Sequence, residues 1–397
     1  MACGLVPPTM DSMDSGHHRP RVVIAGGGVA ALEAMVALHE LAAGLVDIEL
    51  LSPNTEFAYR PSAVAEAFDL GSVQRFPVAA LAGACGARHH LGSLAAVYPD
   101  ERRARTGRLV PLTYDALLIA IGVDVHQAVA GALTFRGPQD VAAFRALLAD
   151  LEAGRVRRLI FAVPSGVTWS LPLYELALLT ADRLARRGIR GARLQVVTPE
   201  EAPLQVFGPK AGETVNSLLE QKGIELLLRW YPHAFEDGLL RLLPGGALDG
   251  ALEADAVVAL PSLRGQAIPG IPHDGGDFIR TDPHGRVEGL TSVYAAGDIT
   301  AFPVKQGGLA AQQAEAVAET IAASAGATVE PRPFEPVLRG VVVTGGAPVY
   351  LRAEIDGGPG DASQADIEPL WSPPGKIAGR YLGPFLAEQA GLAFRPR

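Results

Sequence analysis

Arg21-Val22-Val23-Ile24-Ala25-Gly26-Gly27-Gly28-Val29-Ala30-Ala31 is the stretch that decides the fold. Its apolar opening reads as a buried strand, and an Ala/Leu-rich helix is expected from Ala30 to about Ala43. A second strand, Asp47 to Leu51, follows. The glycine spacing fits a dinucleotide turn. Gly26 permits the tight exit from the strand, Gly28 lets the backbone approach a pyrophosphate, and Ala31 allows close helix–strand packing. The amides at the helix start carry the partial positive charge that phosphates seek. Alone, the spacing also fits an ordinary βα turn. Far downstream, Leu290-Thr291-Ser292-Val293-Tyr294-Ala295-Ala296-Gly297-Asp298 reads as a strand ending in a small residue and an acid. In this order the two motifs describe a site for a long, extended dinucleotide.

Composition narrows the function classes. The chain has 397 residues, a length for two or three domains, and 48% hydrophobic residues, enough for large cores. Its 34 basic and 43 acidic residues give a net charge of -9, which does not favour nucleic acid. The arginine clusters (Arg102, Arg103, Arg105; Arg155, Arg157, Arg158; Arg183, Arg186, Arg187, Arg190, Arg193) are interrupted and read as solvated faces. No charge-free run of about 18 apolar residues appears, so no spanning helix is expected. The first 19 residues lack the apolar core of a signal peptide and read as a disordered tail. The expected compartment is the cytoplasm, with peripheral membrane contact left open. Cys3 and Cys85 are not spaced as a redox dithiol, and His89-His90 lacks companions at ligand spacing, so no metal is expected. Redox work must fall to a cofactor.

Further along, residues 91 to 98 and 108 to 112 read as short antiparallel strands. Tyr114-Asp115-Ala116-Leu117-Leu118-Ile119-Ala120-Ile121-Gly122 is a buried strand ending in glycine. A helix over 140 to 153 precedes a second βαβ unit. That unit comprises strand Arg158 to Val163, the loop Pro164-Ser165-Gly166-Val167-Thr168-Trp169-Ser170, helix Leu171 to Arg187, strand Arg193 to Thr198 and helix Ala211 to Lys222. Ala256 to Leu260 and Val293 to Ala296 return to parallel strands, and Gly308 to Ala325 is a long Ala/Gln-rich helix. After Pro331 and Pro333, Val337 to Thr344 and Val349 to Glu354 suggest a hairpin, followed by a Gly/Pro/Asp-rich loop and a short helix.

These motifs, in this order, resemble the FAD-dependent pyridine nucleotide-disulfide oxidoreductase superfamily. Phe57-Ala58-Tyr59-Arg60-Pro61 and Phe302-Pro303-Val304-Lys305-Gln306-Gly307-Gly308 resemble its branch of sulfide:quinone oxidoreductases and type II NADH dehydrogenases. The resemblance covers about residues 20 to 330. It implies an α/β fold: two Rossmann-like three-layer dinucleotide-binding domains, of FAD and NAD(P) type, plus a small C-terminal α+β module. The expected division is a tail at 1–19, the FAD-binding domain in two parts at 20–136 and 265–330, an NAD(P)-binding-like domain at 137–264, and an interface or cap module at 331–397.

The resemblance also implies roles. Gly26, Gly28 and Ala31 would hold the FAD pyrophosphate, and Ser52 the adenosine ribose. Leu94 would meet the adenine through its backbone. Ala120 and Gly122 would let the cofactor pass close to the chain. Gly297 and Asp298 would bind the ribityl or pyrophosphate region. Lys305, Gln306 and Gly307 would lie beside the isoalloxazine, with Arg60 and Pro61 on its other edge. Pro164, Ser165, Gly166, Trp169 and Glu175 would face the NAD(P) or substrate side.

Three features depart from the family pattern. Ser52 stands where an acid usually grips the ribose. The second turn lacks three-glycine spacing, and strand Gln195 to Thr198 ends without an acid. No cysteine stands near the loop containing Trp169 and Ser170, which argues against sulfide chemistry through thiols. The reading is therefore an FAD-dependent oxidoreductase passing electrons from NAD(P)H or another small donor to a quinone or small acceptor, without a redox disulfide. The alternative is a flavin-binding redox sensor or partner-binding protein with a degenerate nicotinamide site. The C-terminal module, with Trp371, Tyr381 and Phe385, reads as a cap on the FAD domain, a quinone-facing floor or a homodimer contact.

Overall fold

The computed structural model describes residues 19–107, 111–243, 250–355, 363–377 and 379–391. Most of the expected tail, including Cys3, and part of the expected strand at 108–112 lie outside these residues.

Two five-stranded sheets, parallel throughout, organise the chain. The first runs Val293–Ala295, Ala116–Ile119, Arg21–Ala25, Asp47–Ser52, Arg88–Leu91 in spatial order. Its central strands are continuous apolar runs because both faces are covered, one by helices Val29–Leu41, Val78–Ala84 and Gly307–Ser324, the other by residues of an antiparallel ribbon and the chain at 268–299. The chain first builds outward from Arg21–Ala25 to Arg88–Leu91. It then crosses to the opposite side with Ala116–Ile119. The boundary between Arg21–Ala25 and Ala116–Ile119 is thus a topological switch point, where ligands of open α/β sheets bind at the strands' carboxyl ends. The second sheet runs Leu133–Thr134, Ala256–Ala259, Arg158–Ala162, Arg193–Thr198, Glu225–Leu228. Its switch point lies between Arg158–Ala162 and Ala256–Ala259. The chain passes between the two sheets twice, and the crossing segments Asp124–His126 and Ser262–Arg264 pair antiparallel.

Helix Val29–Leu41 packs against the long helix Gly307–Ser324. Alanines 30, 34 and 37 on one and 310, 314 and 318 on the other are all nearly or wholly buried, so the two backbones approach closely. The antiparallel excursion is a three-stranded ribbon of Leu94–Tyr98, Arg103–Thr106 and Leu112–Thr113. A second such ribbon, Pro232–Glu236, Leu239–Leu242 and Ala251–Glu253, has no counterpart in the sequence reading.

The C-terminal hairpin forms as Val337–Val342 and Val349–Glu354, with a third strand, Gln364–Asp366, that the sequence did not reveal. Its position adds contacts that the reading as a cap on the FAD domain, a quinone-facing floor or a homodimer contact did not include. Gly340 sits so close to Leu171 and Phe207 of the second unit that a Cβ would meet them at 2.8 and 2.7 Å. The Val337 backbone exchanges two hydrogen bonds with the Gln312 side-chain amide on the long helix: Nε2 donates to the Val337 carbonyl and Oε1 accepts the Val337 amide, both at 2.9 Å. The module therefore bridges both units. Helix Leu382–Gln389 docks through Glu33, whose carboxyl oxygens accept the amides of Tyr381 and Leu382 at 2.8 and 2.9 Å. Burial and the neighbouring Glu315 push the Glu33 carboxyl up to about 8.

Candidate functional site

The glycine turn lies at the carboxyl end of the central strand, against the switch point. Gly26 has φ +139°, and a Cβ there would lie 2.1 Å from the carbonyl oxygen of Ala120 and 3.3 Å from the Ala31 methyl. Only glycine fits such a position. Gly27 leaves room for Ser52, whose Oγ would be 2.3 Å from a Cβ at residue 27. Gly28 differs from both: its backbone is extended and a Cβ would meet nothing within 4 Å. It faces open space at the start of helix Val29–Leu41. That helix begins without a side-chain cap and without an acid in its first turn. Its first amides have no intrahelical partner and are directed at whatever lies in front of Gly28.

The downstream motif arrives at the same place. A Cβ on Gly297 would lie 3.0 Å from the Cβ of Ala30 and 3.6 Å from that of Ala310. Its amide donates to Gln313 Oε1 at 2.7 Å, which fixes the turn to the long helix. Gly307, at the start of that helix, lies 3.9 Å from Val29 measured from an added Cβ. Gly26, Ala120, Ala31, Gly28, Gly297 and Gly307 thus share one cleft. Gly122 has φ +76° and open space where a Cβ would be. Burial pushes the Asp298 carboxyl up, against the pull of Lys305 and Arg60. Its oxygens accept no hydrogen bond from any described residue. A shielded carboxylate left without protein donors is one that ligand hydroxyls would satisfy.

Several side chains are placed differently from the expectation. Ser52 is fully buried, and its hydroxyl is engaged with the backbone of Asn54 at 3.1 and 3.3 Å. It anchors the turn after its strand rather than facing a ribose. The Lys305 ammonium folds back onto the carbonyls of Thr300 and Phe302, at 2.5 and 2.7 Å, with the Phe278 ring centroid 4.1 Å away. Burial lowers it to about 8, against Asp298 and Asp274. Gln306 caps the long helix: its Oε1 accepts the Leu309 amide at 2.8 Å and its Nε2 donates to the Arg339 carbonyl at 3.1 Å. Arg60 and Pro61 form a single 3-10 turn, Arg60–Ser62. Just before it, the buried Tyr59 hydroxyl accepts the Ile377 amide at 3.0 Å. Leu94 opens the antiparallel ribbon and packs, partly buried, on the core around Val23 and Leu117.

The second switch point holds the main corrections. Glu175 does not face a nicotinamide. It is buried, and its carboxylate receives Lys376 at 2.6 and 2.8 Å and the Val343 amide at 2.8 Å. It belongs to the anchor of the C-terminal module. An acid does stand at the end of strand Arg193–Thr198, two residues on, at Glu200. It turns inward: Tyr174, Thr198 and Ser170 donate hydroxyls to it at 2.6, 2.8 and 2.9 Å. Burial pushes its carboxyl up, opposed by those hydroxyls. With its oxygens engaged this way, Glu200 cannot clamp a ribose diol. The loop Pro164 to Ser170 is tied across to the first unit, because Thr168 Oγ1 donates to the Pro303 carbonyl at 2.8 Å. Trp169 packs on Phe207, ring centroids 5.8 Å apart. Ser165 and Gly166 form the exposed shoulder of this loop, with Gly166 at φ +79°, while Pro164 before them is buried.

Residues 20–320 match the family described as pyridine nucleotide-disulphide oxidoreductase. The chain belongs to this family. Among solved structures, it resembles the sulfide:quinone oxidoreductase of the hyperthermophilic bacterium Aquifex aeolicus, with a TM-score of 0.77 and 19% identity over 87% of this chain and 86% of that one. It also resembles a ferredoxin reductase of Rhodopseudomonas palustris, with a TM-score of 0.65 and 17% identity over 85% and 83%. For NDH2 of Plasmodium falciparum in complex with NADH the TM-score is 0.59 and identity 15%, over 71% and 65%. No curated protein matches by sequence. At these identities the structures share the fold. The cleft suits the family's cofactor, FAD: an open approach at Gly28, uncapped helix amides, and Asp298 free to accept. The protein is a flavoprotein oxidoreductase.

Proposed function

We propose that this oxidoreductase carries electrons from a small reduced donor, NAD(P)H or another, to a quinone or another small acceptor, with no thiol in the path. FAD, when bound, supplies reversible two-electron transfer. On this reading the chain's own residues hold and orient. The amides at Val29 to Ala31 take the pyrophosphate, Asp298 accepts hydroxyls of the sugar chain, and Gly26 and Ala120 close the switch point from behind. A quinone-type acceptor would be met by peripheral contact, since no helix among the described residues is long and apolar enough to cross a membrane.

Thiol independence rests on Cys85. It is the only cysteine among the described residues, it is buried behind helix Val78–Ala84, and burial and Glu40 push its thiol up to about 11. A thiol held that high is a poor nucleophile near neutral pH. The double change Cys3→Ser, Cys85→Ser is expected to leave flavin reduction and reoxidation within a few-fold of wild type. Loss of turnover with FAD still bound would refute this.

The donor test is anaerobic mixing of the yellow protein with NADH and with NADPH while flavin absorbance is followed. Turned inward, Glu200 does not distinguish a free ribose diol from its 2′-phosphate. The two nucleotides are expected to reduce the flavin within about tenfold of one another (about 1.4 kcal/mol). A preference on the order of a hundredfold would show that the second switch point selects after all. Failure of both, with bleaching by dithionite, favours the second reading. In that reading the inward Glu200 and the Thr168–Pro303 tie mark a degenerate nicotinamide site serving a redox sensor or partner-binding protein.

A further inference from the structure

The three-stranded C-terminal sheet has two unlike faces. Leu338, Val342, Leu351 and Ala353 are buried against the second unit. Alternation along the strands puts Arg339, Val341, Tyr350 and Arg352 on the other face, and the antiparallel register sets Arg339 directly opposite Arg352 and Val341 opposite Tyr350. Like charges in that relation repel. A carboxylate normally compensates each. Arg352 has one, Glu354 at 2.7 Å. Arg339 has none among the described residues, and its Nε is buried without a hydrogen-bond partner. Glu315 is near enough to act on it electrostatically, but that carboxylate receives Arg380 at 2.9 Å. Burial, and then Arg352, hold the Arg339 guanidinium below its ordinary value, though an arginine stays charged. Tyr350 and Trp371 meet edge-on beside the pair, centroids 5.4 Å apart. Asp366, opposite Tyr350, already accepts the Glu368 amide.

We propose that Arg339 and Arg352 form a binding site for an oxyanion, a phosphate or carboxylate group, on this face of the C-terminal sheet. A planar guanidinium fork matches such a group bidentately. The anion supplies the counter-charge that the register leaves out, and Trp371, partly exposed and packed edge-on against the buried Tyr350 ring, offers an apolar wall to whatever body carries it. The site is joined to the start of the long helix, because the Arg339 carbonyl accepts Gln306 Nε2.

The test uses the FAD-loaded protein and inorganic phosphate, titrated calorimetrically at constant ionic strength against chloride. Wild type is compared with Arg339→Met, which keeps the apolar stem and removes the charge. Phosphate affinity is expected to fall at least about tenfold in the variant. In chloride alone the variant is expected to melt no lower than wild type, because an uncompensated, half-buried charge has gone. A parallel arm sediments both proteins with vesicles of phosphatidylglycerol or of phosphatidylcholine. Arg339-dependent sedimentation with the anionic lipid assigns the group to a headgroup. Phosphate binding without sedimentation assigns it to a soluble ligand. Equal phosphate affinity in the two proteins, or neither phosphate binding nor Arg339-dependent sedimentation, overturns the site.

Discussion

Gly28→Val is expected to yield a folded protein that has lost its FAD. The two halves of that outcome have separate causes. Gly28 has φ −94° and ψ −168°, an extended backbone open to any residue, and its added Cβ would meet nothing within 4 Å. The fold therefore has no reason to resist valine. The empty space, however, lies at the N-cap, in front of the uncapped amides of helix Val29–Leu41. A branched side chain there holds a pyrophosphate away from the amides and removes their hydrogen bonds along with the favourable end of the helix dipole. A loss on the order of 4 kcal/mol, about a thousandfold in affinity, follows if two or three charge-assisted bonds are broken. Gly26→Val is the contrasting control. There the Cβ would overlap the Ala120 carbonyl at 2.1 Å, so the protein is expected to misfold whether or not FAD is present. The flavin-to-protein absorbance ratio after purification, read beside circular dichroism, separates the two. A folded Gly28→Val protein with stoichiometric FAD would remove this cleft as the cofactor site.

What the sequence disclosed depended on how local the signal was. The turn at Gly26 is written in consecutive residues, and so is the strand ending at Gly297-Asp298. Each needs only its own neighbours to be read. Their meeting, with Gly297 against Ala30, follows from the order of parallel strands, which the family resemblance supplies. Strand Gln195 to Thr198 reads as ending without an acid, and Glu200, two residues past it, was missed. Whether it faces a ligand or the interior is decided by Ser170, just before the preceding helix, and Tyr174 within it, and the reach of those hydroxyls is a tertiary fact. The signal for Glu175 was its surroundings: Leu173, Tyr174, Leu176 and Ala177 flank it, which marks a buried acid in need of a cation. The cation is Lys376, far along the chain, and no local pattern joins them. Lys305 shows the same limit. A lysine at a helix entrance reads as a cation for a ligand, whereas its ammonium is taken by two carbonyls of its own loop.

Lys376→Met is expected to loosen the C-terminal module by about 3–5 kcal/mol at neutral pH, the usual result of removing one partner from a buried ion pair. Glu175 is 1% exposed and the Lys376 side chain 19%, so solvent relieves little of the loss. The Val343 amide remains as a donor, but one neutral hydrogen bond cannot offset a buried carboxylate. Glu175→Gln is expected to cost less. Its amide oxygen still accepts from Val343, and the freed ammonium can swing toward water. The pH dependence gives an independent check. Burial already pushes the Glu175 carboxyl above its ordinary 4.5, with Lys376 pulling it back. Without Lys376 the folded-state value rises further. A carboxyl whose folded pKa is raised favours the fold only where both states are protonated, below the unfolded value. That contribution is lost as pH climbs toward the folded value. The deficit of Lys376→Met is therefore smallest in acid and grows with pH from about 4.5 upward. Thermal melts across pH, with limited proteolysis between residues 363 and 391 as the local readout, measure both features. A variant as stable as wild type at neutral pH, or a deficit that does not shrink in acid, would show that the pair does not hold the module. The same melts should rank Lys376→Met with Glu175→Leu above Lys376→Met alone, since the second change removes the stranded charge.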